Sequence, residues 1–149
     1  MKRIVIVVFF VFGSCLATDK PDFPELPDSP SKLIETLKAS EARYIILMHR
    51  LDYVKESDLP YLVGLLDSKE PCAHVLLSVS SYLPGGKSTV GHEAAYLIEG
   101  FWKRYYPTKL TSDQYKANVE DIKDWYRMWS HMKKLAEPSV QENATSPLR

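Results

Sequence analysis

The chain has 149 residues, of which 45% are hydrophobic and 26% are charged, a composition typical of a globular protein with one domain. Its formal net charge is zero, and its Lys and Arg residues are interleaved with Asp and Glu. A nucleic-acid surface needs a basic excess concentrated on one face, so we expect no nucleic-acid partner.

The first seventeen residues have the pattern of a cleavable export signal. Lys2 and Arg3 precede an uncharged apolar run, residues 4–12, and the small residues of 13–17 follow. This run is shorter than the ~20 residues needed to cross a bilayer. We therefore predict that residues 1–17 are a signal peptide and that the mature protein works in the periplasm or cell envelope.

Two processing routes are open. Gly13-Ser14-Cys15 resembles the lipobox of bacterial lipoproteins, which implies a signal ending at residue 14 and a lipid anchor on Cys15, the sole expected contact with a membrane. Cleavage after Ala17 would instead release a soluble protein. Either route leaves Cys72 as the single thiol of the mature chain, so no internal disulfide is expected.

Residues 18–30 form a Pro-rich segment. Prolines recur at every third position from Pro21 to Pro30, a spacing that suits an extended, polyproline-like tether between a membrane and a folded body. The alternative is an N-terminal arm that packs along the body through Phe23 and Leu26.

The apolar residues of 31–137 recur at helical spacing, which predicts one helical domain followed by a disordered tail, residues 138–149. Three helices are predicted in the first half of this domain. Their apolar stripes are Leu33, Ile34 and Leu37 after Ser31; Tyr44, Leu47, Met48 and Leu51 after Ser40; and Leu59, Leu62, Leu65 and Leu66 after Ser57.

Three more helices are predicted in the second half, where the fourth is ambiguous because residues 75–79 also fit a strand. Their stripes are Cys72, Val75, Leu76 and Val79 from Pro71; Val90, Ala94, Leu97, Ile98 and Phe101 after Ser88 or Thr89; and Val119, Ile122, Trp125, Tyr126, Trp129 and Met132 after Ser112.

These stripes predict an all-α fold, either an irregular bundle of about six short helices or a stack of helical hairpins. Residues 57–83 read SDLPYLVGLLDSKEPCAHVLLSVSSYL, which resembles a HEAT-like repeat. The shared features are a capped helix with Pro in its first turn, a turn containing Asp, and a second apolar helix. The resemblance covers one hairpin and implies contact with another protein.

No motif in the chain completes a catalytic or metal site. The run 85–89, GGKST, lacks the earlier Gly of a phosphate-binding loop, because Ser81 occupies that position. His92-Glu93 begins like a zinc-protease helix, but Tyr96 replaces the second His. Cys72 and His74, two residues apart on a predicted helix, would point away from each other. We therefore predict no catalytic residue, no metal and no cofactor.

A candidate ligand site lies between residues 85 and 106. Polar side chains share one predicted helical face there, and two tyrosines lie in the loop that follows, where aromatic side chains favour partner and sugar surfaces. The candidate ligand-binding residues are His92, Glu93, Tyr96, Glu99, Tyr105 and Tyr106.

The sequence thus favours a non-enzymatic exported module that binds an envelope or extracellular protein. One alternative is an envelope enzyme, or a binder of cell-wall or sugar ligands, that uses the 85–106 region. Another is an immunity or inhibitor protein that neutralises a toxin outside the cytosol.

Overall fold

The computed structural model describes residues 26–136. The predicted signal peptide, the Cys15 anchor, most of the Pro-rich segment and the predicted tail therefore lie outside the described residues. The helices are α1 (Pro30–Ala39), α2 (Leu59–Leu65), α3 (Val90–Lys103) and α4 (Val119–Ala136), and the strands are β1 (Tyr44–Leu47), β2 (Arg50–Leu51), β3 (Pro71–Cys72), β4 (His74–Leu77), β5 (Ser88–Thr89) and β6 (Tyr105–Tyr106). Two 3₁₀ turns cover Glu56–Asp58 and Ser112–Gln114.

The predicted all-α fold is wrong, because the described chain is a mixed α/β structure with four helices and three two-stranded sheets. Strand β1 pairs with β4 in parallel, from Tyr44 opposite His74 to Leu47 opposite Leu77. The other two pairs, β2 with β6 and β3 with β5, are antiparallel.

The predicted second helix is replaced by strands β1 and β2. Leu47 is buried and Ile45 packs against the core, as alternate residues of a strand do. Met48 and Leu51, which the helical stripe required to be buried, are exposed. The β-branched pair Ile45-Ile46 favours an extended backbone, and the parallel partner supplies hydrogen bonds that replace those of a helix.

The ambiguous fourth segment is a strand rather than a helix. Strand β4 is buried at all four positions, so it shows no alternation of apolar and polar residues from which a strand could be recognised. The second helix of the expected HEAT-like hairpin is therefore replaced by β3 and β4, and the stacked-hairpin architecture is wrong.

The remaining four predicted helices are confirmed, with shifted ends. Helix α1 begins at Pro30 behind the Ser29 cap, slightly before the start expected after Ser31. The Thr89 side chain caps α3 by accepting a hydrogen bond from the His92 amide at 3.3 Å. Helix α4 begins at Val119 rather than just after Ser112.

Helix α3 forms the centre of the core. Every residue from Val90 to Gly100 is buried except His92, and α1, α2, β5 and β6 all pack against this helix. The N-terminal segment also joins the body, since Leu26 packs on the core and the Tyr53 hydroxyl donates to the Pro27 carbonyl at 2.7 Å. Among residues 26–136, no helix combines the length and apolar character needed to span a bilayer.

The first turn of α3 touches the chain that leaves α2. A Cβ atom at Gly91 would lie 2.8 Å from the Ser68 carbonyl oxygen and closer still to that of Leu66. The Gly91 amide also donates to the Ser68 carbonyl at 3.1 Å. Only a glycine allows the two backbones this approach.

We expect Gly91→Ala to lower the free energy of unfolding by roughly 1–3 kcal/mol, because the new methyl group overpacks a backbone contact. Gly64→Ala is the matched control, since nothing lies within 4 Å of a Cβ at this exposed position of α2. We expect that change to stabilise the protein by roughly 0.5–1 kcal/mol. Urea unfolding of the two variants measures both effects, and equal stabilities would contradict the close approach.

Candidate functional site

A carboxyl group lies in the core at the start of α3. Glu93 is 0% exposed, and its Oε1 accepts a hydrogen bond from Ser112 Oγ at 2.6 Å. The same Oγ accepts from the Val75 amide at 3.2 Å. His74 Nδ1 lies 3.0 Å from Ser112 Oγ and 3.6 Å from Glu93 Oε1. These contacts join α3, β4 and the 3₁₀ turn at Ser112.

Burial makes the neutral forms of Glu93 and His74 the favoured ones. Loss of water raises the pKa of Glu93 to about 7, although the hydrogen bond from Ser112 opposes this shift. Burial likewise lowers the pKa of His74, against the attraction of Asp113. Both shifts favour the uncharged forms, a carboxylic acid and a neutral imidazole, over an ion pair.

One side of the Glu93 carboxyl has no hydrogen-bond partner within residues 26–136. Glu93 Oε2 and the hydroxyl of Ser88 are both buried and both unpaired there. Ser88 is close enough to lower the pKa of Glu93, but the two groups fall short of hydrogen-bond geometry.

The other polar residues of α3 hold the segment 107–115 against the helix. The Tyr96 hydroxyl donates to the Lys109 carbonyl and accepts from the Lys109 amide, both at 2.8 Å. Glu99 Oε2 accepts from Thr108 Oγ1 at 2.5 Å. His92 Nε2 donates to the Ser112 carbonyl at 2.9 Å.

The two predicted loop tyrosines lie in β6 and point to opposite faces of that strand, as adjacent strand residues do. Tyr106 is 0% exposed, with its ring 5.6 Å from that of Tyr53 and 5.5 Å from that of Tyr96. Tyr105 is partly exposed beside His49. The structure therefore brings five of the six candidate residues together along α3 and separates Tyr105 from them.

The buried cluster has the residue types of a nucleophilic site but not its accessibility. Ser112 is 0% exposed, and its hydroxyl is already engaged by Glu93, Val75 and His74. A substrate carbonyl cannot reach Ser112 Oγ in this conformation, so the arrangement observed cannot perform acyl transfer. Its evident effect is to fasten elements that are distant in sequence.

Sequence reasoning missed His74, Ser88 and Ser112 as partners of Glu93. Ser112 is 19 positions from Glu93 and 38 from His74, and no spacing rule connects such positions. The described residues contain no group of three or more His, Cys, Asp or Glu side chains able to hold a metal. A ligand-binding role for the six candidate residues stays a prediction.

A cavity of about 590 Å³ lies between α4 and the start of α2. This volume is within the range of small-molecule sites. Neither the six candidate residues nor the Glu93 cluster lines it. Its lining residues are Glu56, Ser57, Pro60, Trp129, Ser130, Lys133 and Lys134.

Helix α4 leaves a band of apolar side chains partly or largely uncovered, which we call the α4 stripe: Trp125, Met128, Met132 and Leu135. Their spacing of three, four and three residues places them on one side of the helix. Met128, Met132 and Leu135 are 64%, 59% and 73% exposed, so the prediction that Met132 is buried is wrong.

The α4 stripe continues onto the end of α3. The exposed ring of Trp102 meets Trp125 edge-on, with 4.8 Å between ring centroids. Single exposed apolar residues are ordinary, whereas contiguous apolar bands are found more often at interaction sites. Asp121 lies one turn before Trp125 on the same side, so the N-terminal end of the stripe is acidic.

Comparisons with protein-family models, curated proteins and solved structures found no significant match to this chain. The function is therefore argued from its own side chains.

We expect Glu93→Gln to gain stability relative to the parent as the pH rises from 4.5 to 7.5. The folded parent keeps Glu93 protonated up to a pKa of about 7, whereas the unfolded chain loses that proton near 4.5. The preference of the folded parent for protonated Glu93 therefore stabilises it fully below pH 4.5, and this stabilisation is lost as the pH rises through 7. The gain should reach roughly 3 kcal/mol, since one pKa unit is worth about 1.4 kcal/mol.

Urea unfolding of parent and variant at pH 4.5, 6 and 7.5 measures this gain. The difference between the two proteins isolates Glu93, because His74 titrates in both. A difference that stays constant over the range would mean that Glu93 is ionised in the folded protein.

We expect Ser112→Ala to lower the free energy of unfolding by roughly 2–3 kcal/mol, because a buried donor or acceptor left without its partner costs about 1–3 kcal/mol. The change removes the hydroxyl that is hydrogen-bonded to Glu93 Oε1 and to the Val75 amide. Ser80→Ala, at a partly exposed position whose hydroxyl bonds to Tyr82, is the control and should have little effect. Thermal melting of both variants checks this difference.

Proposed function

We propose that this protein is a non-enzymatic binding module of the cell envelope that recognises another protein through the α4 stripe. The carrying observation is the contiguous apolar band on α4, with Met128, Met132 and Leu135 each more than half exposed. The envelope address is supported by the export pattern of residues 1–17.

The chemistry of the stripe suits a helical partner. Apolar residues at a spacing of three and four on one side of a helix are covered well by the apolar face of a second amphipathic helix. Asp121 at the N-terminal end of the stripe favours a Lys or Arg at the matching end of that partner. We therefore propose an amphipathic helix with apolar anchors and a basic end as the recognised element.

The side chains of the stripe can supply the binding energy that such a contact needs. Fully burying a Met or Leu side chain is worth about 1.5–3 kcal/mol. Trp102 and Trp125 add large, rigid aromatic surface of the kind found at the centres of protein interfaces. The Glu93 cluster is buried, so it offers no exposed surface that competes with the stripe for a partner.

We expect the double variant Met128→Lys/Met132→Lys to lose its envelope partner. Two lysines placed in the middle of the stripe would have to be desolvated without a counter-charge when the partner docks. The measurement is affinity capture from envelope extract on immobilised protein, followed by mass spectrometry and by titration of the recovered partner.

Val79→Lys is the matched control, because Val79 is apolar and 75% exposed but lies outside α4. Parent and control should recover the same partner, and the double variant should bind it at least roughly tenfold more weakly. Equal recovery by all three proteins would refute the α4 stripe as the binding surface. Recovery of no specific partner by the parent would count against a binding module.

A further inference from the structure

Strand β1 has an open edge. Its register with β4, together with hydrogen bonds from His74 N to the Arg43 carbonyl and from Ser78 N to the Leu47 carbonyl, directs the backbone groups of residues 43, 45 and 47 toward β4. The amides and carbonyls of Tyr44 and Ile46 therefore point away from it. No described residue hydrogen-bonds to those outward groups.

The opposite edge of the same sheet is closed. Outward amides of β4 donate to the segment 110–112: the Leu77 amide to the Leu110 carbonyl at 2.8 Å, and the Val75 amide to Ser112 Oγ at 3.2 Å. Leu76 and Thr111 form an isolated antiparallel bridge there. The fold thus pairs one edge of this sheet and leaves the outward backbone groups of β1 without hydrogen-bond partners in the part of the chain described.

The β1 edge lacks the features that usually keep edge strands apart. Its sequence, YIIL, contains no charge and no proline, and its regular register with β4 contains no bulge. Soluble proteins normally protect such an edge with lysine, proline or a bulge. An unprotected apolar edge of this kind is suited to accept another strand.

We propose that the occupant is β1 of a second copy of this chain, paired antiparallel about a two-fold axis at Ile45. In an antiparallel pair, residues whose groups face the partner lie opposite one another and exchange both hydrogen bonds. Tyr44 of each copy then meets Ile46 of the other. The outward groups of one strand match those of the other without a change in either, as an isologous contact requires.

The side chains of the strand support the same pairing. Tyr44 opposite Ile46 is an aromatic and β-branched cross-strand pair, a favourable combination. The result is a four-stranded sheet in the order β4, β1, β1 of the second copy, β4 of the second copy.

Cross-linking tests the register. Ile45 faces its own counterpart across the axis, so Ile45→Cys should give a covalent dimer under mild oxidation. Ile46→Cys is the matched control, because its two introduced thiols would be offset along the strands beyond the ~7 Å Cα separation that a disulfide tolerates. The parent, in which Cys72 is free but buried, gives the background. No excess dimer for Ile45→Cys, or equal dimer for both variants, would overturn the pairing.

Sedimentation velocity across a concentration series tests the dimer itself. The protein, purified as the cell produces it, should show a monomer–dimer equilibrium, and Ile46→Lys should raise the dimer dissociation constant by roughly tenfold or more. A parent that stays monomeric at every concentration would overturn the proposal.

Two further measurements separate this proposal from the one for α4. Far-UV circular dichroism and thermal melting establish that Ile46→Lys is folded. Ile46→Lys should keep its α4 partner, and Met128→Lys/Met132→Lys should keep the dimer. Loss of the dimer in the α4 variant would show that α4, and not β1, joins the copies.

Discussion

The hydrogen bonds between α3 and residues 107–115 are the constraint on which the rest of this structure depends. Helix α3 carries Glu93, Tyr96 and Glu99 into the interior, where a polar group without a partner costs about 1–3 kcal/mol. Ser112, Thr108 and the backbone of Lys109 supply partners to all three side chains. Helix α3 can therefore pack in this position only if residues 107–115 lie against it.

This requirement also decides which sheet edge is covered. The segment that reaches Glu93 through Ser112 runs beside β4 and accepts the outward Leu77 amide at the Leu110 carbonyl. This one segment thus supplies hydrogen bonds both to the buried side chains of α3 and to the outward amides of β4. Nothing in that arrangement reaches the outer edge of β1, because β1 lies on the other side of β4.

The two uncovered surfaces differ in chemistry. The β1 edge offers backbone donors and acceptors, which select an extended strand of matching register. The α4 stripe offers flexible and aromatic side chains, which select an apolar helical face and are less sensitive to register. The self-association and the partner contact proposed above use different residues and do not require the same surface.

Much of the helical part of the fold could be predicted because its determinants are local. The Thr89 side chain caps α3 across three residues, and Pro60 lies in the first turn of α2, where its missing amide does no harm. The strands could not be predicted in the same way. They are two to four residues long, too short for a period of two to be distinguished from a helical stripe.

The candidate site, like the fold, could be predicted from the sequence only where its features are local. That His92, Tyr96 and Glu99 share one face of α3 could be recognised from helical spacing. Their partners could not, because contacts between distant segments depend on how the chain closes on itself. The exposure of the α4 side chains could not be predicted either, since a stripe at helical spacing has the same sequence pattern whether another element covers it or not.

By itself, then, the sequence determined that four segments are helical, and it shows that residues 1–17 have the pattern of an export signal. Only the tertiary structure decided that Ile45 and its neighbours form a strand, that Glu93 is buried with a raised pKa, and that residues 26–136 leave the outward backbone groups of β1 unbonded and one side of α4 exposed. The physical reason is that pairing and burial are properties of several segments at once, and short-range spacing carries no information about them.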